Sequence, residues 1–249
     1  MSASSCSRLR CDAFGRTETG KVRRCNEDAI LLRDDDGLWV VADGLGGHSA
    51  GDYASRLIVE RLAAVPRPDD LCDFVDAIED ALEGVNADLL RIAAERRLDL
   101  IGSTVVLLVH DGDLALCGWV GDSRGYRFDG RGLRQITEDH VHGSKDDVTR
   151  YGAQPPPRDA PPPGALTRAV GAQPQLFVDW TVAGHGGGAT FVLCSDGINK
   201  EIGDGELDLE CARATDPRAL VTRLFDLALA RAARDNVSAI AVRFREWMQ

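Results

Sequence analysis

No stretch of this 249-residue sequence reaches the roughly 18 apolar residues that a membrane-spanning helix needs. The opening residues, MSASSCSRLRCDAFG, hold no apolar segment and do not read as a signal peptide. A cytoplasmic protein is therefore expected. Seven cysteines (Cys6, Cys11, Cys25, Cys72, Cys117, Cys194 and Cys211) include no Cys-x-x-Cys pair, which excludes a zinc ribbon and a disulfide framework. Most are expected as small buried residues, and Cys194 beside Asp196 reads as strand packing rather than a redox group. Basic charge is also short. Against 40 Asp and Glu stand 29 Lys and Arg, a net charge of −11, which argues against a nucleic-acid partner. That total does not separate an acidic solvated surface from acid gathered to bind cations; position does.

The chain has enough apolar residues, 44%, for a sizeable core. Residues 29–33 (AILLR) and 38–42 (LWVVA) read as strands around the turn DDDG, after a polar turn ending GRTETGKVRRCNEDA. The second strand runs into DGLGGH, where glycines permit close approach of backbone to a ligand. A helix is predicted from about Ser49 to Val65, with Tyr53, Leu57, Ile58 and Leu62 on one face. Another starts near Asp70, where the stripe Leu71, Val75, Ile78, Leu82, Val85, Leu89, Ile92 signals packing against a core. Residues 103–110 and 113–120 form a predicted hairpin through Asp111-Gly112, and strands follow at 124–128 and 133–136. The proline-rich stretch at about 139–166 reads as a flap-like loop, too short for a domain. Further strands are predicted at 176–183, 190–194 and 237–244. Asp216-Pro217 marks the start of a helix running to about Ala233. With no linker and no repeat, residues 1–249 are expected to form one domain. Hairpins without regular strand–helix alternation predict an α+β fold: antiparallel β-sheets with α-helices on their outer faces.

Five aspartates sit at the ends of apolar segments. Asp28 precedes a strand, Asp43 follows WVVA, Asp122 follows LCGWVG, Asp196 follows FVLCS, and Asp235 precedes the last strand. Any one alone reads as a turn or cap residue. Four of the five adjoin Gly or Asn, and the set is hard to explain by turns alone. Hard divalent cations such as Mg²⁺ and Mn²⁺ take carboxylate and water oxygens, and a pair of them can activate a water without any Ser, Cys or His nucleophile.

The ordered segments GKVRRCNED (20–28), ADGLGGH (42–48), GST (102–104), VGDSR (120–124), CSDG (194–197) and RDNVS (234–238) resemble the motif series of the PPM, or PP2C-type, protein phosphatases. Each motif alone is weak, and their order across nearly the whole chain carries the resemblance. It implies a sandwich of two antiparallel β-sheets flanked by helices, with two Mn²⁺ or Mg²⁺ ions in a cleft at one end. By that resemblance Asp43 bridges both ions and Gly44 lends its carbonyl to one. Asp196 and Asp235 complete the first site, and Glu27 and Asp28 act mainly through waters. Asp122, helped by Asp196, holds a third ion. Arg23 grips the substrate phosphate, with Arg24 as the alternative. The activity implied is direct hydrolysis of phosphoserine and phosphothreonine in proteins by a water held between the ions, with no covalent phosphoenzyme. Such an enzyme opposes a Hanks-type Ser/Thr kinase and works as a monomer away from membranes. SDGINKE and HSAGDYASR further resemble phosphatases encoded with type VI secretion systems.

The sequence departs from the family where some members carry a histidine proposed as general acid. Leu45 stands there, and His48 is three residues on. Rival readings are weaker. Gly121-Asp122-Ser123-Arg124-Gly125 spells G-x-S-x-G, but a nucleophile elbow needs a following helix and RGYRFDGRG reads as strand and turn. His140 and His142 on a polar loop read as solvent-exposed rather than as metal ligands. A catalytically silent phosphoprotein-binding module would have lost acidic positions, and here every one is filled. A small phosphate ester as substrate stays open.

Overall fold

The computed structural model describes residues 10–46, 50–112, 114–143, 162–184 and 188–245. Among them the elements are β1 (Arg10–Glu18), β2 (Asp28–Arg33), β3 (Leu38–Gly46), α1 (Ala50–Ala63), α2 (Leu71–Arg96), β4 (Ile101–Ser103), β5 (Val105–Asp111), β6 (Leu114–Val120), β7 (Arg124–Phe128) and β8 (Leu133–Gln135). They continue with β9 (Asp179–Gly184), β10 (Thr190–Cys194), α3 (Asp196–Asn199), α4 (Asp204–Arg213), α5 (Pro217–Ala230) and β11 (Val237–Arg245). One sheet runs β1-β11-β10-β7-β8. The other runs β2-β3-β5-β6-β9, with β4 paired to the end of β3. The pairings described in both sheets are antiparallel.

Side-chain alternation builds four layers. In β3, Trp39 and Val41 point one way and Leu38, Val40 and Ala42 the other. The first pair joins Val106, Leu108, Phe191, Leu193, Ile240, Val242 and Phe244 in a core between the sheets. Trp39 and Phe191 meet Phe244 edge-on there, with centroids 6.2 and 5.6 Å apart. The second set packs under α1 and α2, against Ile58, Leu62, Ile78, Leu82 and Leu89. On the far side, Val192, Cys194, Ala239 and Ala241 pack under α5, against Leu220, Leu224 and Phe225. Period-2 strands with two apolar faces are what a sandwich covered by helices requires.

Local chemistry sets the helix ends. Asp70 caps α2, its carboxylate accepting from the Cys72 and Asp73 N–H groups at 2.7 and 3.3 Å. Asp216 caps α5 by accepting from Ala219 N–H at 2.8 Å, with Pro217 as first residue.

The structure differs from the sequence reading in several places. The opening segment is not only a polar turn. Residues 10–18 form β1, paired along its length with β11. β3 continues through Asp43 and Gly44 to Gly46 because β4 extends the ladder there. β9 begins at Asp179 rather than 176, α5 ends at Ala230, and α4 and the single turn α3 were not anticipated. Cys117, Cys194 and Cys211 are buried as expected, whereas Cys25 and Cys72 are exposed. Cys6, His48 and residues 144–161 of the flap-like loop lie outside the described residues.

Candidate metal centre

Antiparallel pairing decides where the aspartates go. Asp28 starts β2 and Asp43 lies near the end of β3, and the two are register partners. Asp122 follows β6, Asp196 follows β10, and Asp235 precedes β11. Because neighbouring strands run oppositely, the start of β2 and the end of β3 share one end of their sheet, as do the end of β10 and the start of β11 in theirs. A cleft of about 360 Å³ opens at that end, lined in part by Arg23, Glu27, Asp43, Gly44, Asp122, Asp196 and Asp235. Of the predicted site residues, Asp28 and Arg24, the alternative to Arg23, are off its wall; Asp28 lies buried, 6% exposed, and Arg24 is exposed.

Neighbours fix each carboxylate. Asp43 is set by its backbone: its N–H donates to Thr104 Oγ1 at 3.2 Å, and its carbonyl accepts from Thr104 N–H at 2.8 Å and Ser103 Oγ at 3.0 Å. Gly44 N–H donates to the Glu27 carbonyl at 3.0 Å. A Cβ at Gly44 would fall 2.0 Å from the Gly51 carbonyl, so this turn of chain admits only glycine. Gly197 after Asp196 is equally constrained, 1.9 Å from the Asn236 carbonyl. Asp28 Oδ2 accepts from Ser195 Oγ at 2.8 Å and Ser238 Oγ at 2.7 Å. Asn236 ties the loops together, accepting from Glu27 N–H at 2.9 Å and donating to the Thr19 and Cys25 carbonyls at 2.8 and 3.0 Å.

Gathering acid here has an electrostatic cost. Burial, opposed by the two serine hydroxyls and helped by the charges of Asp196 and Asp235, pushes Asp28 up to about 6. Burial and the charge of Asp196 likewise raise Asp122 to about 6. Asp43 is raised well above the ordinary carboxylate value, by burial first and then by the charges of Asp28, Asp196, Asp122 and Asp235. Asp196 and Glu27 are raised chiefly by burial. Asp235 goes the other way. Burial would raise it, but the hydrogen bond and charge of Arg23, with the charge of Lys200, hold it below its ordinary value.

Two cations stand among these acids. Arg23 Nη2 lies 2.8 Å from Asp235 Oδ1. Lys200 Nζ bonds Asp196 Oδ2 and lies 3.3 Å from Asp235 Oδ2. With these pairs made, no three His, Cys, Asp or Glu side chains among the described residues form a ready cage for a metal. The donor set nevertheless fits a hard divalent cation. It is all oxygen, and Asp28 Oδ1 and Asp196 Oδ1 are buried without a hydrogen-bond partner. Asp43, Asp196, Asp235, Asp122 and Glu27, the Gly44 carbonyl, and Asp28 beneath could hold such ions.

Sequence reasoning missed several contributors. Lys200 carried no assignment, and it ion-pairs with Asp196 and Asp235. Ser195, Ser238 and Asn236 are buried polar groups whose signal lies only in their adjacency to Asp196 and Asp235. The reading of His140 as solvent-exposed is corrected: it is 4% exposed, accepts from Gly121 N–H through Nδ1 at 3.0 Å, and donates through Nε2 to Asp179 at 2.9 Å. Ser123 is no elbow nucleophile, since strand β7 follows it and its hydroxyl bonds Thr104 Oγ1 at 2.7 Å. The two stems of the flap-like loop bond each other, His142 N–H to the Ala165 carbonyl at 2.7 Å, which brings Gly164 and Leu166 to the cleft.

Comparison with known proteins agrees with this geometry. The serine/threonine phosphatase stp of Listeria monocytogenes is 31% identical over 91% of this chain and 93% of its own length. The solved structure of PppA, described as a key regulatory component of the type VI secretion system in Pseudomonas aeruginosa, superposes with a TM-score of 0.85. It is 39% identical and covers 94% of this chain and 97% of PppA. The catalytic domain of the serine/threonine protein phosphatase PstP, solved with two manganese ions, superposes with a TM-score of 0.80 at 27% identity, over 96% of this chain and all of that one. The family model for protein phosphatase 2C matches residues 18–239, and the chain belongs to that family.

Proposed function

We propose that this protein is a metal-dependent protein serine/threonine phosphatase that hydrolyses phosphoserine and phosphothreonine in partner proteins. The observation that carries the reading is the convergence of Asp43, Asp122, Asp196 and Asp235 on one cleft, over a buried Asp28. Asp43, Asp196 and Asp235 with the Gly44 carbonyl would hold two central ions, Mn²⁺ or Mg²⁺; Glu27 and Asp28 would act through water, and Asp122 with Asp196 would serve a weaker third ion. When bound, such ions supply Lewis acidity, which activates a water and offsets phosphoryl charge.

The chain's own groups do the rest. Arg23, half-exposed at the cleft mouth, exchanges Asp235 for two phosphate oxygens, which its planar fork suits. Thr104 and Ser103 hold the backbone that carries Asp43. The phosphorus–oxygen bond to the serine or threonine side chain breaks as water oxygen bonds phosphorus; the water sheds a proton and the leaving oxygen takes one up from solvent, giving the free hydroxyl and inorganic phosphate. Leu45, on the cleft wall, has no proton to give the leaving oxygen.

Residues 1–249 act as one domain and as a monomer, and Gly164 and Leu166, from the described part of the 139–166 loop, line the cleft. Likeness to PppA supports a role in type VI secretion, and a protein phosphatase there would oppose a Ser/Thr kinase. Release of phosphate from a phosphothreonine peptide tests the function. Release is expected with Mn²⁺, is expected to be lost with EDTA, and should fall at least about 100-fold in Asp43→Asn and Asp196→Asn. A folded, Mn²⁺-loaded protein inert on several phosphopeptides and on p-nitrophenyl phosphate would favour a silent binding module instead.

A further inference from the structure

Beside the metal cleft lies a second concavity, of about 470 Å³, lined by Gly197, Lys200, Glu201, Ala232, Arg234 and Asp235. It shares Lys200 and Asp235 with the cleft. An extended chain with its phosphorylated residue in the cleft therefore has this hollow as its immediate neighbour.

The wall that carries Arg234 is built rather than loose. Ala232 N–H donates to Glu201 Oε2 at 3.3 Å, and Arg231 grips both Glu206 oxygens at 2.7 Å. Ala233, fully buried, holds a left-handed backbone with φ of 40°. That conformation is unfavourable for a residue with a Cβ and persists where neighbours impose it. Here Lys21 N–H donates to the Ala233 carbonyl at 2.9 Å. The next residue, Arg234, is thereby held exposed on the wall.

Asp235 is engaged by Arg23 and Lys200, and Glu201 accepts from the Ala232 amide while keeping its charge. Arg234 makes no ion pair or side-chain hydrogen bond among the described residues. Lys21 and Arg24, on the loop from β1 to β2, have no carboxylate partner there either; Lys21 Nζ reaches only the Arg231 carbonyl, at 2.9 Å. Arg234 on the wall and Lys21 beside Arg231 are thus cations without a carboxylate partner among the described residues, in a protein whose net charge is −11.

We propose that this concavity is a substrate subsite for an anionic side chain flanking the phosphorylated residue, either a carboxylate or a second phosphate. Arg234 is its principal contact, and Lys21, bonded to the Arg231 carbonyl, adds attraction. The assignment rests on the phosphatase reading and narrows it to substrates with acidic or multiply phosphorylated surroundings.

The test compares kcat/KM of the Mn²⁺-loaded protein on phosphothreonine peptides flanked by alanine, by glutamate, by lysine or by a second phosphothreonine, with p-nitrophenyl phosphate as control. Wild type is expected to favour anionic flanks over alanine by about 1.5- to fivefold, the range for a solvent-accessible ion pair, with the margin shrinking as salt rises. The larger gain, for glutamate or phosphate, tells which anion the subsite takes. Arg234→Ala should erase the preference and Arg234→Glu should turn it toward lysine, with p-nitrophenyl phosphate turnover unchanged in both. Equal kcat/KM on all peptides, or a preference that survives in Arg234→Glu, overturns the subsite while leaving the phosphatase standing. If the Arg234 variants lose p-nitrophenyl phosphate turnover as well, Lys21→Glu decides, and an anionic preference undiminished there overturns the proposal. Failure of wild type on every substrate overturns the phosphatase reading and the subsite with it.

Discussion

Asp28 shows how single residues prepare this site. Two serine hydroxyls hold one of its oxygens, and the other is buried with no partner. Hydrogen bonds to the ionised form oppose the burial that raises its titration to about 6. Ser238→Ala removes one of them, so the metal-free protein should lose roughly 1.5–3 kcal/mol at neutral pH, read by urea unfolding in EDTA. The loss should shrink at about pH 5, where the carboxyl is largely protonated. An equal loss at both pH values would mean that the serine contributes packing rather than charge stabilisation. At this scale the sequence was informative about acids and glycines and nearly silent about their supports. Asp-Gly at 43–44 and 196–197 is visible in one line of text, and its cause is the approach of the Gly51 and Asn236 carbonyls, which leaves no room for a Cβ. Lys200 sits four residues beyond Asp196, just past the short helix α3, and nothing in the sequence says that its ammonium turns inward.

Among elements, alternation and capping made most strands and the long helices legible. Strand β1 escaped because RCDAFGRTE has few apolar residues; as an edge strand it pairs with β11 alone. Helix α4 escaped for a related reason, since only Leu207, Glu210 and Cys211 of DGELDLECAR are buried. The loop after β8 was read by composition, and composition could not show that its stem is pinned. His140 accepts from Gly121 N–H, donates its own N–H to the Gly121 carbonyl at 3.0 Å, and passes its ring hydrogen to Asp179, which Arg168 also holds at 2.8 Å. One buried histidine thus ties the loop stem to the turn that carries Asp122. His140→Ala would strand the Gly121 N–H and should cost about 2–3 kcal/mol in urea unfolding. His140→Asn, whose side-chain oxygen can stand near Nδ1, should lose less. Equal losses would show that the ring's packing against Trp119, centroids 6.1 Å apart, matters more than the hydrogen bond.

The whole molecule brings the acids together. Residues more than 200 positions apart in sequence, Glu27 and Asn236, meet at 2.9 Å because β1, β2 and β11 end at the same edge of the sandwich. Spacing alone could not give that convergence; the ordered motif series could, because it pointed to a known topology. The price is a fold that holds raised carboxyls. Asp28 and Asp122 titrate at about 6, and Asp43 and Asp196 also lie above their ordinary value. A carboxyl raised in the fold binds its proton more tightly folded than unfolded. The metal-free protein is thus favoured below about pH 4 by these groups and loses that advantage as pH rises through about 6. Divalent ions bind the ionised form, so their affinity should grow over the same interval. Calorimetric titration of Mn²⁺ into metal-free protein, at about pH 7.5 and about pH 5, tests the metal centre most directly. Two ions per chain are predicted at the higher pH, with binding much weaker at the lower, and Asp43→Asn should lose both. No saturable binding at about pH 7.5, or an Asp43→Asn protein that binds as wild type does, would contradict the account.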